Sequence, residues 1–510
     1  MLAHLVRQHA QAAPQRVALI EGERELDYVG LDALMDRVVC ALQRSGVGPG
    51  QTVAICATAS IEYAVVFLGV LRAGAAVAPL APGSTRAALR AMLRDCAPSA
   101  LFVDAAAAAL LDGPNGDAAS ALGPVRIALD GSAAATAFQD WLALPGCLPE
   151  PVEIAPESPF NIIYSSGTTG VPKGIVQSHA MRWAHVRRGA RYGYSMRTVA
   201  LLSTPLYSNT TLVVFVPTLA FGGTVVLSPK FDAAGYLALA QRHRVTHTML
   251  VPVQYQRLLA HGDFERHDLS SFQVKFATSA PFSAALKAEV LRRWPGQLIE
   301  FYGMTEGGGT CILEAHAHPD KLHSVGRPAE GHDIRLIDDA GREVAPGAAG
   351  EVVGHSPSMM TGYHNQPDKT REAEWFDATG KRFIRTGDIG RFDAQGFLTL
   401  IDRSKDMIIS GGFNIYPSDI EAVLREHPAV AEVAVAGVAS QRWGETPVAF
   451  VVRRATATPP AAAGDLLEWA NARLGKLQRL HSVEVIDELP RSAIGKVLKR
   501  ELRDRFNSAV

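Results

Sequence analysis

Hydrophobic and polar positions run along the first half of the chain in two alternating rhythms. QTVAICAT (51–58) is a short, nearly continuous apolar run, IEYAVVFLGVLRAGA (61–75) carries an apolar stripe at helical spacing, and AAVAPL (75–80) is short again. Short runs bounded by glycine and proline read as buried strands, and the longer one as a helix. ALQRSGVGPG (41–50) ends the preceding helix on glycine. Residues 227–251 repeat the unit as VVL, YLALAQRH and THTMLVP. Strand–helix–strand alternation predicts a parallel α/β sheet. TLVVFVPTLAFGGTVVL (211–227) is the longest apolar stretch, but Pro217, Gly222 and Gly223 interrupt it. It reads as a buried helix followed by a buried strand and falls short of a membrane span. DAAAAALLDGPNGDAAS (104–120) reads as an alanine-rich surface segment.

From about Asp333 the pattern changes. DIRLIDDAGREVAPGAAGEVVGHS and RFDAQGFLTLIDR hold short strands separated by turn signals, the style of an antiparallel module. SDIEAVLREHP, AVAEVAVAGVAS, TPVAFVVRR and GDLLEWANARLG then alternate helix and strand again. The tail after Arg403 is long enough to be a small domain. The predicted class is α/β, with a large N-terminal domain of parallel α/β layers in several sheets and a small α+β C-terminal domain. No period of 20–50 residues repeats.

Composition narrows the function classes. The chain has 510 residues, 47% hydrophobic and 20% charged, which suits a globular protein of two or more domains. Its 50 basic and 51 acidic side chains give a net charge of -1, so no broad electrostatic pull toward nucleic acid or a membrane surface is expected. Cys40, Cys56, Cys96, Cys147 and Cys311 are irregularly spaced and odd in number, which suggests neither a disulfide framework nor a zinc site. Reduced thiols and a cytoplasmic location fit, and the opening MLAHLVRQHAQAAPQR lacks the apolar core of a signal peptide.

The candidate chemistry begins at YSSGTTGVPKG (164–174), preceded by the strand-like FNII. Gly167 and Gly170 let the backbone turn sharply and approach a ligand. Ser165, Ser166, Thr168 and Thr169 add hydroxyls, Lys173 adds positive charge, and backbone N–H groups in such a loop can cradle an anion. This suits a polyphosphate, although the lysine does not follow the spacing of a Walker A loop. On composition alone a flexible loop is the commoner reading.

A family resemblance changes that balance. YSSGTTGVPKG, with YGMTEGGG (302–309), RTGDIGRF (385–392), DRSKDMIISGGFNIYPSDIE (402–421) and PRSAIGKVLKREL (490–502), resembles the adenylate-forming superfamily, and QRWGE (441–445) is typical of its acyl-CoA synthetase and aryl-CoA ligase branch. The resemblance implies a large adenylation domain at 1–402, a small mobile domain at 403–510 with a hinge near Lys405, and an active site between them. It implies ATP, Mg²⁺ and coenzyme A as cofactor and co-substrates, and a small carboxylic acid as the partner. A homodimer is among the assemblies it allows.

Roles follow residue by residue. Tyr302, which would otherwise read as a core tyrosine, becomes the adenine platform, flanked by Gly303 and Met304. Thr305 would hold the α-phosphate and Glu306 would help bind Mg²⁺, which commonly takes one carboxylate and completes its shell with phosphate and water. Ser279, Ala280 and Pro281 match the segment whose backbone lies along adenine. Asp388, otherwise a turn aspartate, would accept from the ribose hydroxyls, and Arg403 would reach ribose or phosphate oxygens. Lys496, otherwise a solvated surface lysine, matches the catalytic lysine that bridges the substrate carboxylate and the α-phosphate. Gly411 and Gly412 suit a narrow pantetheine channel, and Trp443 and Lys476 would contact the nucleotide end of coenzyme A.

The acyl pocket is expected from Tyr207, Ser208, Asn209, Thr210, Gln254, Ser279 and Gly307 to Gly309. Ser208 stands where many acyl-CoA synthetases carry histidine. The segment also lacks the aspartate by which amino-acid-activating relatives hold an α-amino group. An aryl or short-to-medium apolar acid is therefore expected, with coenzyme A as acceptor. A carrier-protein thiol is the alternative acceptor, and a non-catalytic nucleotide binder is the third reading.

Overall fold

The computed structural model describes residues 2–112, 125–132, 135–165, 172–403, 406–410, 413–440, 443–454, 461–475, 478–492 and 495–509. The chain is an α/β protein with a large N-terminal and a small C-terminal domain. It divides into two compact units, Met1–His323 with Pro328–Asp333 and Gly354–Ile384, and Ser324–Arg327 with Ile334–Val353 and Arg385–Val510.

Two large sheets organise the first unit. In one, Gln297–Gly303, Val274–Ala277, His247–Leu250, Val199–Leu202, Thr224–Leu227 and Val17–Glu21 lie side by side as parallel strands. In the other, Pro159–Ser165, Ala76–Pro79, Thr52–Cys56, Ala100–Val103 and Val125–Ala128 are parallel, and Lys173–Ser178 returns antiparallel beside Pro159–Ser165. The predicted units at 51–80 and 227–251 are present, with helices Ile61–Arg72 and Ala233–Arg242 between their strands.

Two local expectations change. Helix Ile61–Arg72 has no single stripe: it buries ten of its twelve residues, because packed elements cover it on all sides. Gly69 makes this close approach possible, since a Cβ there would lie 2.6 Å from Val38 Cγ1. Ala105–Asp112 is a helix that buries Ala107, Ala108 and Leu111 and exposes Ala105, Ala106 and Ala109, so this part of the alanine-rich surface segment also lends one face to the core. The apolar stretch after Tyr207 forms buried helix Asn209–Ala220 and buried strand Thr224–Leu227, as expected, and the helix runs through Pro217. Its burial compensates the backbone bond that proline removes. Among the described residues no helix is long and apolar enough to cross a membrane.

In the second unit, Asp388–Phe392 and Leu398–Arg403 form an antiparallel pair. Farther on, Val430–Ser440 and Gly444–Arg453 pair antiparallel, and Ser482–Val485 joins the second of them in parallel. Helices Pro417–Arg425 and Ala463–Asn471 supply Ile420, Leu424 and Leu466 to a core with Val433, Val435 and Val451.

Candidate active site

The glycine- and hydroxyl-rich loop is the turn between two antiparallel strands, so its two ends are held in register at Ser165 and Lys173. Ser166, Gly167, Thr168, Thr169 and Gly170 lie outside the described residues, as does the side chain of Ser165. The base of the loop is anchored by Tyr164, whose hydroxyl donates to Asp95 Oδ2 at 2.6 Å. Burial and the adjacent carboxylate hold that phenol well above its ordinary pKa, so it stays a donor. His364 Nδ1 lies 3.4 Å from the same carboxylate.

Lys173 opens the returning strand, and the short strand Gly362–Tyr363 pairs with that strand, Tyr363 opposite Ile175. The pairing sets the Tyr363 ring beneath the Lys173 ammonium, 4.8 Å from Nζ to the centroid. The Tyr363 hydroxyl donates to Glu306 Oε1 at 2.8 Å. One tyrosine thus joins two residues 133 positions apart that the motifs assign to polyphosphate and Mg²⁺. Glu306 has its second carboxylate oxygen without a partner among the described residues. A carboxylate with one free oxygen beside a lysine fits a Mg²⁺ that takes its remaining ligands from phosphate and water.

Thr305 and the glycines after Glu306 are shaped from below. Gln177, a lone amide in the apolar strand Lys173–Ser178, donates to the Thr305 carbonyl at 2.6 Å. Met360 N donates to the Glu306 carbonyl at 2.8 Å and Ser356 Oγ to the Gly307 carbonyl at 2.7 Å. Gly307 has φ +72°, and a Cβ there would fall 2.0 Å from the Ser358 carbonyl oxygen. A Cβ at Gly308 would fall 2.5 Å from Ile384 Cβ. These glycines therefore let the backbone of 306–309 lie against segment 354–360 and Ile384.

Tyr302 ends strand Gln297–Gly303, half-buried and opposite Cys311, with Gly303 exposed and Met304 half-buried. Ser279 adopts φ +76°, a strained conformation for a residue with a side chain, and its hydroxyl shares a 2.7 Å hydrogen bond with Thr210. Ala280 is half-buried and Pro281 exposed beside it. Ser208 is the N-cap of helix Asn209–Ala220, its Oγ accepting from Thr210 N. Gln254 is buried and its side chain is engaged locally, accepting from Val251 N at 3.0 Å and donating to the Ser203 carbonyl at 3.3 Å. Tyr207 is half-buried, with its phenol pKa raised by burial.

Beneath Asn209 lies a group that motif reasoning did not find. Arg182, buried on helix His179–Gly189, donates to Asn161 Oδ1 at 3.0 and 3.1 Å, to Asn209 Oδ1 at 2.8 Å, and to Gln177 Oε1. Its acceptors among the described residues carry no charge, three amides and, at 3.5 Å, His185 Nδ1, and burial pushes its pKa down to about 9. The charge is spread over the amides that also hold Thr305 and the head of the pocket helix. Lone polar residues in apolar runs, Gln177 in GIVQS and Asn161 in FNII, were the signal available in the sequence.

In the second unit, Asp388 is buried and is the register partner of Arg403 across the antiparallel pair. The Arg403 side chain, Lys405, Gly411, Gly412 and Lys476 lie outside the described residues. Lys496 is exposed in a turn in which Gly495 takes φ +76° and Ser492 Oγ accepts from Lys496 N at 3.2 Å. Arg491 braces this turn, donating to the Gly495 carbonyl at 2.8 Å and pairing with Glu432. Trp443 is exposed at the turn between strands Val430–Ser440 and Gly444–Arg453.

Comparison with known proteins agrees with the motif pattern. Residues 6–364 match the family model for AMP-binding enzymes, and residues 419–496 match that for the AMP-binding enzyme C-terminal domain. The chain is 35% identical to an indoleacetate–CoA ligase of Aromatoleum aromaticum, over 98% of this chain and 97% of the relative. It is 32% identical to the fatty acid–[acyl-carrier-protein] ligase ScoC of Streptomyces coeruleorubidus, over 98% and 95%. Among solved structures, ATP-bound MatB from Rhodopseudomonas palustris superposes with a TM-score of 0.88 at 28% identity, covering 100% of both chains. With both family models matched in order, and relatives of this identity along nearly its whole length, the chain belongs to the AMP-binding enzymes, in the acyl-CoA synthetase branch of the adenylate-forming superfamily.

Proposed function

We propose that this protein is an ATP-dependent carboxylate–CoA ligase acting on an aryl or short-to-medium apolar acid. The observation that carries the site assignment is the joining of Lys173 and Glu306 through Tyr363, which sets a cation and a carboxylate together beside the phosphate-loop strand. The likeness to an indoleacetate–CoA ligase supports an aryl acid and coenzyme A.

In the first half-reaction a carboxylate oxygen of the acid attacks the α-phosphorus of ATP. The P–O bond to pyrophosphate breaks, and the acyl-adenylate remains. The carboxylate is already anionic at neutral pH, so the protein's work is positioning and charge neutralisation. Thr305 and Lys496 hold the α-phosphate and the attacking carboxylate, Lys173 faces the departing polyphosphate, and Asp388 and Arg403 hold the ribose. Glu306, through the oxygen that Tyr363 leaves open, would hold Mg²⁺, which would supply further charge neutralisation at the phosphates. In the second half-reaction the coenzyme A thiol, losing its proton, attacks the acyl carbonyl and AMP leaves. Gly411, Gly412, Trp443 and Lys476 serve this step. The domain boundary falls near 402/403, with Lys405 as the hinge, and the protein works in the cytoplasm on small acids without nucleic acid.

Pyrophosphate release from purified protein with ATP, Mg²⁺ and a panel of acids, with and without coenzyme A, tests the reading. The expected result is release that coenzyme A accelerates, with AMP and a thioester as products. Lys496→Ala should lower adenylation by about a hundredfold or more while retaining most ATP affinity. Unchanged turnover would remove Lys496 from the reaction. Release that coenzyme A leaves unaltered would favour a carrier-protein thiol as acceptor, the reading supported by the likeness to ScoC.

A further inference from the structure

Helix His179–Gly189 carries more than the buried Arg182. One turn on, His185 Nδ1 lies 3.5 Å from Arg182 Nη1, and since a guanidinium only donates, Nδ1 accepts. His332 Nδ1 likewise accepts, from Thr310 N at 2.9 Å, directly after the glycines of the pocket segment. Burial and neighbouring cations lower the pKa of both imidazoles, that of His332 to about 4. Each ring is therefore neutral and carries its proton on Nε2.

Arg188, two turns along the helix from Arg182, lies over the Phe301 ring at 5.9 Å. It makes no hydrogen bond or ion pair among the described residues, and neither Nε2 of these two histidines has a partner there. His185 and Arg188 share one face of the helix, three residues apart, and the Arg188 charge helps to lower the pKa of both His185 and His332. No carboxylate among the described residues acts on any of them. The nearby Tyr192 hydroxyl, fully buried, also lacks a partner. The corner is thus rich in donors and poor in acceptors, beside Asn209 and Thr310. The three side chains are half-buried, so a ligand can reach them, and one that brings an acceptor meets donors that no described protein group occupies.

We propose that Arg188, His185 and His332 are specificity-determining residues that take an oxygen acceptor of the acid substrate, remote from its reacting carboxylate. The preferred acids are aryl acids whose ring carries a hydroxyl, alkoxy or carbonyl oxygen. This rests on the reading of the site as one that activates a carboxylate. A site built to hydrogen-bond a substrate group discriminates strongly against the analogue that lacks it.

The test pairs benzoate, phenylacetate and 3-phenylpropanoate with their ring-hydroxylated and ring-methoxylated counterparts. kcat/KM is read from ATP-dependent pyrophosphate release, with butyrate to dodecanoate as non-aryl acids. The expected wild-type result is a preference of about tenfold or more for an oxygenated member over its parent, the size of a hydrogen bond to a charged donor. In Arg188→Met that ratio, measured on one enzyme, should fall toward one, chiefly through KM. Arg188→Lys, which keeps the charge, should retain part of it and serves if Arg188→Met fails to melt cooperatively. Turnover of aryl or aliphatic acids with no preference for ring oxygen, or a preference untouched in both variants, overturns the inference and leaves carboxylate activation standing. Silence with every acid in the panel counts against the ligase reading, and the inference falls with it.

Discussion

Tyr363 shows how much of this site depends on one side chain outside every motif. Its ring supports the Lys173 ammonium and its hydroxyl holds one oxygen of Glu306. Tyr363→Phe keeps the ring and deletes the hydrogen bond. The expected outcome is a fall of about tenfold in kcat/KM for ATP and a higher Mg²⁺ concentration for half-maximal rate, since a bond to a charged acceptor is lost. Steady-state kinetics over a Mg²⁺ titration reads both, and an unaltered Mg²⁺ dependence would separate Tyr363 from metal binding. Thr305 and Glu306 were legible in YGMTE. Tyr363 was not, because a single tyrosine in a short edge strand carries no periodic or compositional signal.

The segment 303–310 is a tight element whose shape comes from absent side chains. The sequence left open whether the glycines after Glu306 make room or narrow a tunnel. The structure answers for two of them: Gly307 allows contact with the Ser358 backbone and Gly308 with the Ile384 side chain. Gly307→Ala would put a methyl group 2.0 Å from the Ser358 carbonyl at a positive φ. The contact is with backbone on one side, so the loop must move. Both strain and displacement then add, at a cost of about 2 kcal/mol or more. Urea denaturation should show that loss, and the pyrophosphate assay should show a larger relative loss of activity, since Glu306 is the adjacent residue. Gly307→Ala with unchanged midpoint and rate would mean segment 354–360 yields freely.

At the level of the whole chain, neutral buried histidines tie stability to pH. Burial lowers both His179 and His247 to about 4. His179 packs edge-on against Phe160, and His247 Nε2 bonds the Tyr192 carbonyl at 2.8 Å. In the unfolded chain each titrates near 6.5, so between pH 6.5 and 4 the unfolded state binds more protons than the folded one. Stability is complete above 6.5 and lost as pH falls toward 4, by about 2 kcal/mol per histidine between pH 7 and 5. Urea midpoints at pH 7, 6 and 5 should fall accordingly, and His247→Gln should flatten the slope by about one proton. A midpoint constant over this range would mean these rings protonate in place.

The sequence by itself determined the fold class, the two-domain plan and the family, and it named candidates for the nucleotide-facing residues. These follow from short-range signals: the spacing of apolar runs, glycine turns, and motifs whose members lie within a few residues of one another. Gln177 and Asn161 stand as polar residues inside apolar strands, but nothing local in the sequence says what they meet. Only the tertiary structure decided that those amides accept from Arg182, that Gln177 also holds Thr305, that Ser208 caps its helix, and that helix Ile61–Arg72 is covered on all faces. The same is true of the donor corner at Arg188, His185 and His332, whose members come from one helix and a loop 144 residues beyond it. Partnership across such separations is set by strand register and packing, which leave no local trace in the order of residues.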